Sequence, residues 1–331
     1  MFSKNQADVL QSLRRYEFKT SGVYVGKVKP DLGTDLFISD RTLFKEALKT
    51  PNLGKLVLAS YHDPVLKRNI PRVIKLIGCY RIYNNLMSAG KVILSFNDHT
   101  SYNVLLHSIA KKHQLKTVYI QHAAVSDKFP PLYHDYNLLF SEDSLNKYKR
   151  LPGIVAEVLF DLRIATGLQT TELDQYPKEN SMLVCTNLLD DPLKVLAFVE
   201  KMSGDYEIVL RPHPRDHRKE WSQARCRIST NTSVWDDLKE CRIVITNESA
   251  VVLEAICAGR LLYKAAFFSS SLDNYSFLQK GLLLREYSDI SSISDAINEK
   301  SLDYDTSRVL YFTGEMINAR EKVAKFFKSI P

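Results

Sequence analysis

Short apolar runs alternate with amphipathic segments along most of this chain. "KVILSFND" (91–98) reads as a strand, and "SYNVLLHSIAKKHQL" (101–115) spaces its apolar residues as a helix does. "KTVYIQH" (116–122) and "YNLLFS" (136–141) read as two further strands, and "EDSLNKYKR" opens another helix. Upstream, "GKLVLASYHD" (54–63) is expected to be a strand and a loop. The stretch 163–180, "RIATGLQTTELDQYPKEN", breaks the rhythm and reads as a polar linker. Beyond it the pattern restarts. Strands are expected at "SMLVCTN" (181–187), "YEIVL" (206–210), "RIVITN" (242–247) and "RLLYKAAFF" (260–268). Helices are expected at "DPLKVLAFVEKM", "SVWDDLKE" and "SAVVLEAICAG", with a polar loop around "RIST" and a long basic amphipathic helix in 308–330.

Strands alternating with helices predict an α/β protein with parallel sheets. Two such sets, split near residue 175, predict two Rossmann-like domains facing a cleft. The length of 331 residues suits two cores of ordinary size. Ligands of open parallel sheets sit at the carboxyl ends of strands, so the residues there carry the functional reading.

Composition narrows the class only a little. Apolar residues make up 45% and charged residues 25%, the balance of a soluble globular protein. The net charge of +7 suits phosphorylated or anionic ligands, or anionic lipid, and is too mild to indicate nucleic acid. "MFSKNQADVLQSLRRYEFKT" has no apolar signal segment, and no apolar run reaches the ~18 residues of a spanning helix. The expected location is therefore cytoplasmic. The five cysteines have no metal-ligand spacing, and Cys185, Cys241 and Cys257 fall in apolar stretches as core residues.

Five strand ends carry candidate chemistry. In "YEIVLRPHPRD" a buried strand runs into Arg211 and then His213, which two prolines hold stiffly between Arg211 and Arg215. An imidazole in that field can donate to a phosphoryl oxygen or protonate a leaving phosphate. In "VITNESAVVLEAICAGR", Asn247 or Ser249 would cap a helix whose free N–H groups suit a phosphate, and Glu254 could accept from ribose hydroxyls. The bland reading makes these residues caps and a dipole partner. In "SFNDHTSYN" and "YIQHAAVSDKFPPL", Asp98 and His122 end successive strands, close enough in a parallel sheet for acid–base work. Asp127 is a nearby carboxylate, and structural roles for Asp98 and His122 stay open. In "NLLDDPLKV", Asp190 or Asp191 is an N-cap before Pro192, and Asn187 would line the cleft.

Together "YIQHAAVSDKFPPL", "VLRPHPRD" and "SVWDDLKECRIVITNESAVVLEAICAGR" resemble GT-B glycosyltransferases of bacterial surface polysaccharide synthesis. The likeness is to capsule and lipopolysaccharide sialyl- and Kdo-transferases and to CDP-glycerol glycerophosphotransferases. His213-Pro214 matches their His-Pro motif, and the turn Thr246 to Ser249 matches their donor-phosphate turn. Ala250 stands where a second serine is usual. The resemblance implies an acceptor-side domain over 1–175 and a nucleotide-donor domain over 176–310. A C-terminal helix over 311–331 would cross back to the first domain.

It also implies metal-independent transfer from a nucleotide-sugar co-substrate, of CMP-linked Kdo or sialic-acid type, with no other cofactor. The acceptor would be a glycan or lipid-linked glycan. His213 and Arg211 would stabilise the departing phosphate with Asn187, Asn247, Ser249 and Glu254 around the donor, and Asp98 or His122 would be the base. The basic residues Arg308, Arg320, Lys322, Lys325 and Lys328 suit either a solvated face or peripheral contact with the inner membrane. Three alternatives remain: glycerophosphate transfer, a nucleotide-sugar 2-epimerase, and a non-catalytic subunit of the same fold.

Overall fold

The computed structural model describes residues 22–24, 45, 47–62, 69–86, 92–95, 101–121, 123–170, 177–270, 272–315, 322 and 325–326. Five parallel strands form a first sheet in chain order: β1 (Gly22–Tyr24), β2 (Val92–Ser95), β3 (Lys116–Ile120), β4 (Tyr136–Leu139) and β5 (Val155–Val158). Helices α1 (Leu53–His62), α2 (Ile70–Leu86), α3 (Ser101–Lys112) and α4 (Glu142–Lys147) accompany it. Ser141 caps α4 by accepting from the Ser144 N–H.

The second sheet is also wholly parallel. It contains β6 (Ser181–Cys185), β7 (Glu207–Arg211), β8 (Arg227–Ile228), β9 (Ile243–Thr246) and β10 (Leu261–Lys264), in the order β10-β9-β6-β7-β8. The chain winds outward from β6 to β8 and then returns to lay β9 on the other side of β6. That reversal is a topological switch point, the place where open parallel sheets as a class bind their ligands, outside the carboxyl ends of the strands.

Both faces of this sheet are covered, which explains why its strands read as unbroken apolar runs. Met182 and Val184 face one side with Ile243, Ile245 and Phe198; Leu183 and Cys185 face the other with Val244, Trp235 and Leu253. The first side is closed by α6 (Pro192–Met202) and α9 (Ile290–Asn298), the second by α5 (Leu162–Thr170), α7 (Val234–Glu240) and α8 (Val251–Cys257). Each fully buried aliphatic side chain contributes roughly 1.5–3 kcal/mol. Burial also pushes the thiol of Cys241 up to about 12, so it packs as an inert apolar group.

Three expectations are corrected. Residues 54–62 belong to a helix, α1, because an apolar run without strict alternation suits either element and "LGKLVLASYH" holds three leucines with a lysine and an alanine, all good helix formers. The supposed linker opens with α5, whose Ile164 is buried in the second sheet's core and whose Gly167 lies against Trp235. A Cβ on Gly167 would meet the indole ring at 1.9 Å. Residues 308–330 do not make one long helix. Helix α10 (Val309–Thr313) ends at Gly314, whose φ of 72° is the left-handed region, and helical backbone recurs at Lys322, Lys325 and Phe326.

Gly314 is also where the chain crosses back to the first sheet. A Cβ there would meet the Phe140 carbonyl oxygen at 2.3 Å. Phe326, fully buried, packs edge-on against Tyr136 of β4. α10 thus bridges α8 and α4.

Charged groups cross the same seam. Lys147 donates to Asp143 and to the Tyr275 carbonyl, both at 2.6 Å, and Lys280 reaches Asp143 at 2.6 Å. Between α5 and α8, Arg163 lies 3.4 Å from Glu254, and it pairs with Asp161 at 2.6 Å.

Candidate functional site at the switch point of the second sheet

Register fixes which residues share the carboxyl edge. Cys185 of β6 stands opposite Arg211 of β7 on one side and Thr246 of β9 on the other, and Lys264 of β10 stands opposite Thr246. The loops that follow these strands therefore leave at one level. They carry Asn187, His213, Asn247 and Ser249, so these four share one edge with Arg211, while Glu254 lies inside α8.

The loops are tied to each other by Asp190, which is fully buried. Its carboxylate accepts from the Asn187 N–H at 2.8 Å, the Ser269 hydroxyl at 3.2 Å and the Asn247 Nδ2 at 3.3 Å. Burial pushes the Asp190 carboxyl up, and those three donors pull against the shift. Asp191, by contrast, is the helix cap, accepting from Leu193 N–H at 2.9 Å. The adjacent pair thus divides into one structural hub and one N-cap.

A second tie runs from the His213 loop. Arg218 grips Asp216 with its Nε and one terminal nitrogen, at 2.8 and 2.5 Å. Its remaining donors reach the carbonyls of Asp190 at 2.6 Å and Asn187 at 3.2 Å. The guanidinium also lies over the Trp221 ring, 5.2 Å from its centroid. Arg218 carries no spacing signal in the sequence, so only the fold reveals it.

His213 is half-buried between these ties. Its Nδ1 accepts from the Arg215 N–H at 3.2 Å, so Nε2 carries the hydrogen of the neutral ring. Burial, then the positive charge of Arg215, lowers its pKa below 6.5, while Asp216 acts the other way. At neutral pH the loop therefore presents a neutral imidazole with Nε2–H as a donor.

The remaining candidates are more committed than their sequence suggests. Arg211 turns into a buried pair with Asp237 at 2.5 Å and also bonds Ser229 and Asn231 at 3.0 Å. Glu254 is buried against Arg163, and burial pushes its carboxyl up against that guanidinium's pull. Asn187 forms a local turn, its Oδ1 accepting from Leu189 and Asp190 N–H groups, while its Nδ2 donates to the Glu248 carbonyl at 3.1 Å. Asn247 is buried, with Nδ2 held by Ser269 at 2.7 Å. Its Oδ1, and the hydroxyl of Thr186 beside it at the strand ends, have no hydrogen-bond partner among the described residues. Ser249 accepts from the Val251 N–H at 3.2 Å just ahead of α8, whose N-cap position is Ala250 with no side-chain cap bond, so the capping expected of Asn247 or Ser249 is not what the helix uses.

Sequence reasoning missed Lys264, although a lone lysine within "LLYKAAFF" is a visible signal. It is buried, bonded to Glu286 at 2.8 Å and to the Leu272 carbonyl at 2.5 Å, and lies 3.9 Å from Glu248. Glu248 in turn accepts from the Tyr275 N–H at 3.1 Å; burial is the main cause that raises its pKa.

On the first sheet, Asp98 and His122 lie outside the described residues. Gln121 is buried, donating to Ala123 and Ser144 and accepting from the Phe140 N–H, which fixes the end of β3 against β4. Asp127 is exposed on the turn that follows.

No family model matches the chain, and no curated protein matches it by sequence. Solved structures do share its fold. The UDP-GlcNAc 2-epimerase of Methanocaldococcus jannaschii is 11% identical, with a TM-score of 0.55 over 93% of this chain and 99% of that one. The Neisseria meningitidis UDP-GlcNAc 2-epimerase bound to UDP-GlcNAc is 12% identical, with a TM-score of 0.55 over 77% and 81%. The S. aureus MnaA–UDP co-structure is 11% identical, with a TM-score of 0.56 over 86% and 84%. At these identities the likeness concerns the fold: the chain has the GT-B-like arrangement of Rossmann-type parallel α/β sheets.

Proposed function

We propose that this chain binds a nucleotide sugar at the carboxyl edge of β6, β7 and β9 and acts as a metal-independent glycosyltransferase. It would move the sugar to a growing surface polysaccharide or lipopolysaccharide acceptor. The observation that carries the reading is the tautomer of His213. The Arg215 N–H occupies Nδ1, so Nε2–H is left as a fixed donor at a switch-point edge. Such a donor strengthens its bond as charge builds on a departing phosphate.

The roles of the other residues follow from their contacts. Ser249 and the turn before α8 would meet phosphate oxygens. The unpartnered Oδ1 of Asn247 and Oγ1 of Thr186 would take a donor group or a bridging water from the bound molecule. Arg211 and Glu254 act as positioning residues, since their charges face Asp237 and Arg163. Asp98 or His122, which follow β2 and β3 in the chain, would accept the proton of the attacking hydroxyl. The CMP-linked donor rests on the sequence resemblance alone.

The test is a thermal-shift panel of CMP, CDP, UDP and GDP with the full chain. One nucleotide should stabilise it by about 2.7 kcal/mol at a hundredfold excess over Kd. A flat response to all four would sink the reading and favour a non-catalytic subunit. A 2-epimerase reading is favoured by one observation, that solved structures of this fold hold UDP-GlcNAc or UDP. Incubation with a nucleotide sugar and no acceptor separates the two: an altered sugar indicates the epimerase, an unchanged one the transferase.

A further inference from the structure

Lys147 of α4 is a lysine that packing alone does not require. Only 2% of its side chain is exposed, and an apolar side chain of similar volume would fill the place without burying a charge. Its ammonium donates to the Asp143 carboxylate and to the Tyr275 carbonyl, at 2.6 Å each, and lies 6.0 Å from the centre of the Phe312 ring. Asp143 does not depend on it, because Lys280 reaches the same carboxylate at 2.6 Å. The contact that sets Lys147 apart is the one to Tyr275.

Tyr275 lies on a segment that follows β10 and is tied to the ligand edge of the second sheet. Its N–H donates to the Glu248 carboxylate at 3.1 Å, and the Leu272 carbonyl accepts from Lys264 at 2.5 Å. Glu248 stands between Asn247 and Ser249, and its own carbonyl accepts from the Asn187 Nδ2 at 3.1 Å. One line of bonds therefore runs from Lys147 through Tyr275 and Glu248 to Asn187, from the first half to the loop after β6. The segment in between is stiff. The Asp273 carboxylate accepts from the Leu278 and Gln279 N–H groups at 3.2 and 2.8 Å, and Phe277 is buried in the second sheet's core. Ser276 is held at a φ of 56°, a left-handed conformation that a residue with a side chain keeps only where its surroundings impose it. Such a segment passes on a displacement rather than absorbing it.

We propose that Lys147 is a positioning residue for the ligand edge: from the first half of the chain it sets, through Tyr275 and Glu248, the turn that carries Asn247 and Ser249. A residue of the first half thereby governs how tightly the second half holds its ligand. The buried ammonium suits this role better than an apolar residue, because charge-assisted bonds of fixed direction specify a geometry that dispersion contacts leave loose. The proposal rests on the reading that this edge binds a nucleotide.

The test uses the full chain and whichever of CMP, CDP, UDP and GDP stabilises it most. Lys147→Met should raise the Kd of that nucleotide about tenfold by calorimetry, with the chain still folded. Lys280→Met removes the other cation on Asp143 but leaves the Tyr275 carbonyl bonded, and should leave Kd unchanged. Glu248→Ala should also weaken binding, and adding Lys147→Met to it should cause little further loss, since both cut one line. A lysine that only supports the fold would give independent losses in that pair, or equal losses in Lys147→Met and Lys280→Met. Either result overturns the proposal, as does an unchanged Kd in Lys147→Met. If Lys147→Met does not fold, hydrogen exchange on the unaltered chain decides. The nucleotide should slow the amides of 142–148 more than those of α9, and equal slowing overturns the proposal. A chain that answers to none of the four nucleotides overturns the reading of the edge itself, and this proposal with it.

Discussion

Arg218 donates to the carbonyl oxygen of Asp190 across 2.6 Å, linking the loop after β7 to the loop after β6. Because the same guanidinium holds Asp216 in a two-point grip, one side chain sets the distance between His213 and the switch point. Arg218→Ala should therefore weaken nucleotide binding at least tenfold by calorimetry while the chain remains folded. Arg218→Lys should not restore it, because an ammonium cannot reproduce the planar fork. Normal affinity in Arg218→Ala would show that the loops keep their spacing without it.

The neighbours Asp190 and Asp191 should behave very differently. Asp190→Ala removes the acceptor that three donors from three loops share and should cost about 3 kcal/mol in denaturant unfolding. Asp191→Ala removes one cap bond and should cost about 1 kcal/mol. Equal losses would contradict the division of roles.

For His213, the pH dependence has a definite sign. Its native pKa lies below 6.5, so the unfolded chain takes up this proton first as pH falls. The native state therefore loses stability as pH drops through 6.5 towards the native pKa, and His213→Gln should flatten that part of the stability curve. The same protonation at Nδ1 would break its bond to the Arg215 N–H. Turnover should fall on the acid side, and His213→Ala should lower it about a hundredfold at neutral pH with little change in melting temperature.

Arg163 and Glu254 form a buried pair between α5 and α8. Arg163→Met strands Asp161 and Glu254 without a counter-charge and should cost about 3–5 kcal/mol. Adding Glu254→Gln should recover part of that loss, a coupling that a double-mutant cycle measures. Strict additivity would mean that the pair does not interact.

Much of the second half was legible because its strands are buried on both faces and its helices are amphipathic. "SMLVC", "EIVLR" and "IVIT" stand as strands close to where their apolar runs place them. The first half was harder. In "GKLVLASYHD" the leucines face two sides of α1, so neither a strand nor a helix period emerges. Within the site, proline and strand-end placement made His213 conspicuous. The partners that decide what its neighbours do were invisible: Asp237 for Arg211 is 26 positions away, and Arg163 for Glu254 sits in a stretch that reads as linker. Long-range pairing leaves no local spacing, so charged residues that look available proved to be spoken for.

The crossing at Gly314 and Phe326 gives the last elements of the chain a place beside β4 and β5. Neither half then owns all the material that closes its surface. A fragment cut near residue 175 would lose the aromatic plug over Tyr136, and the other fragment would carry Lys280 and Glu254 with nothing to face. Co-expressed as separate pieces, the halves should be recovered together or not at all, as expected of one cooperative folding unit rather than two beads on a string.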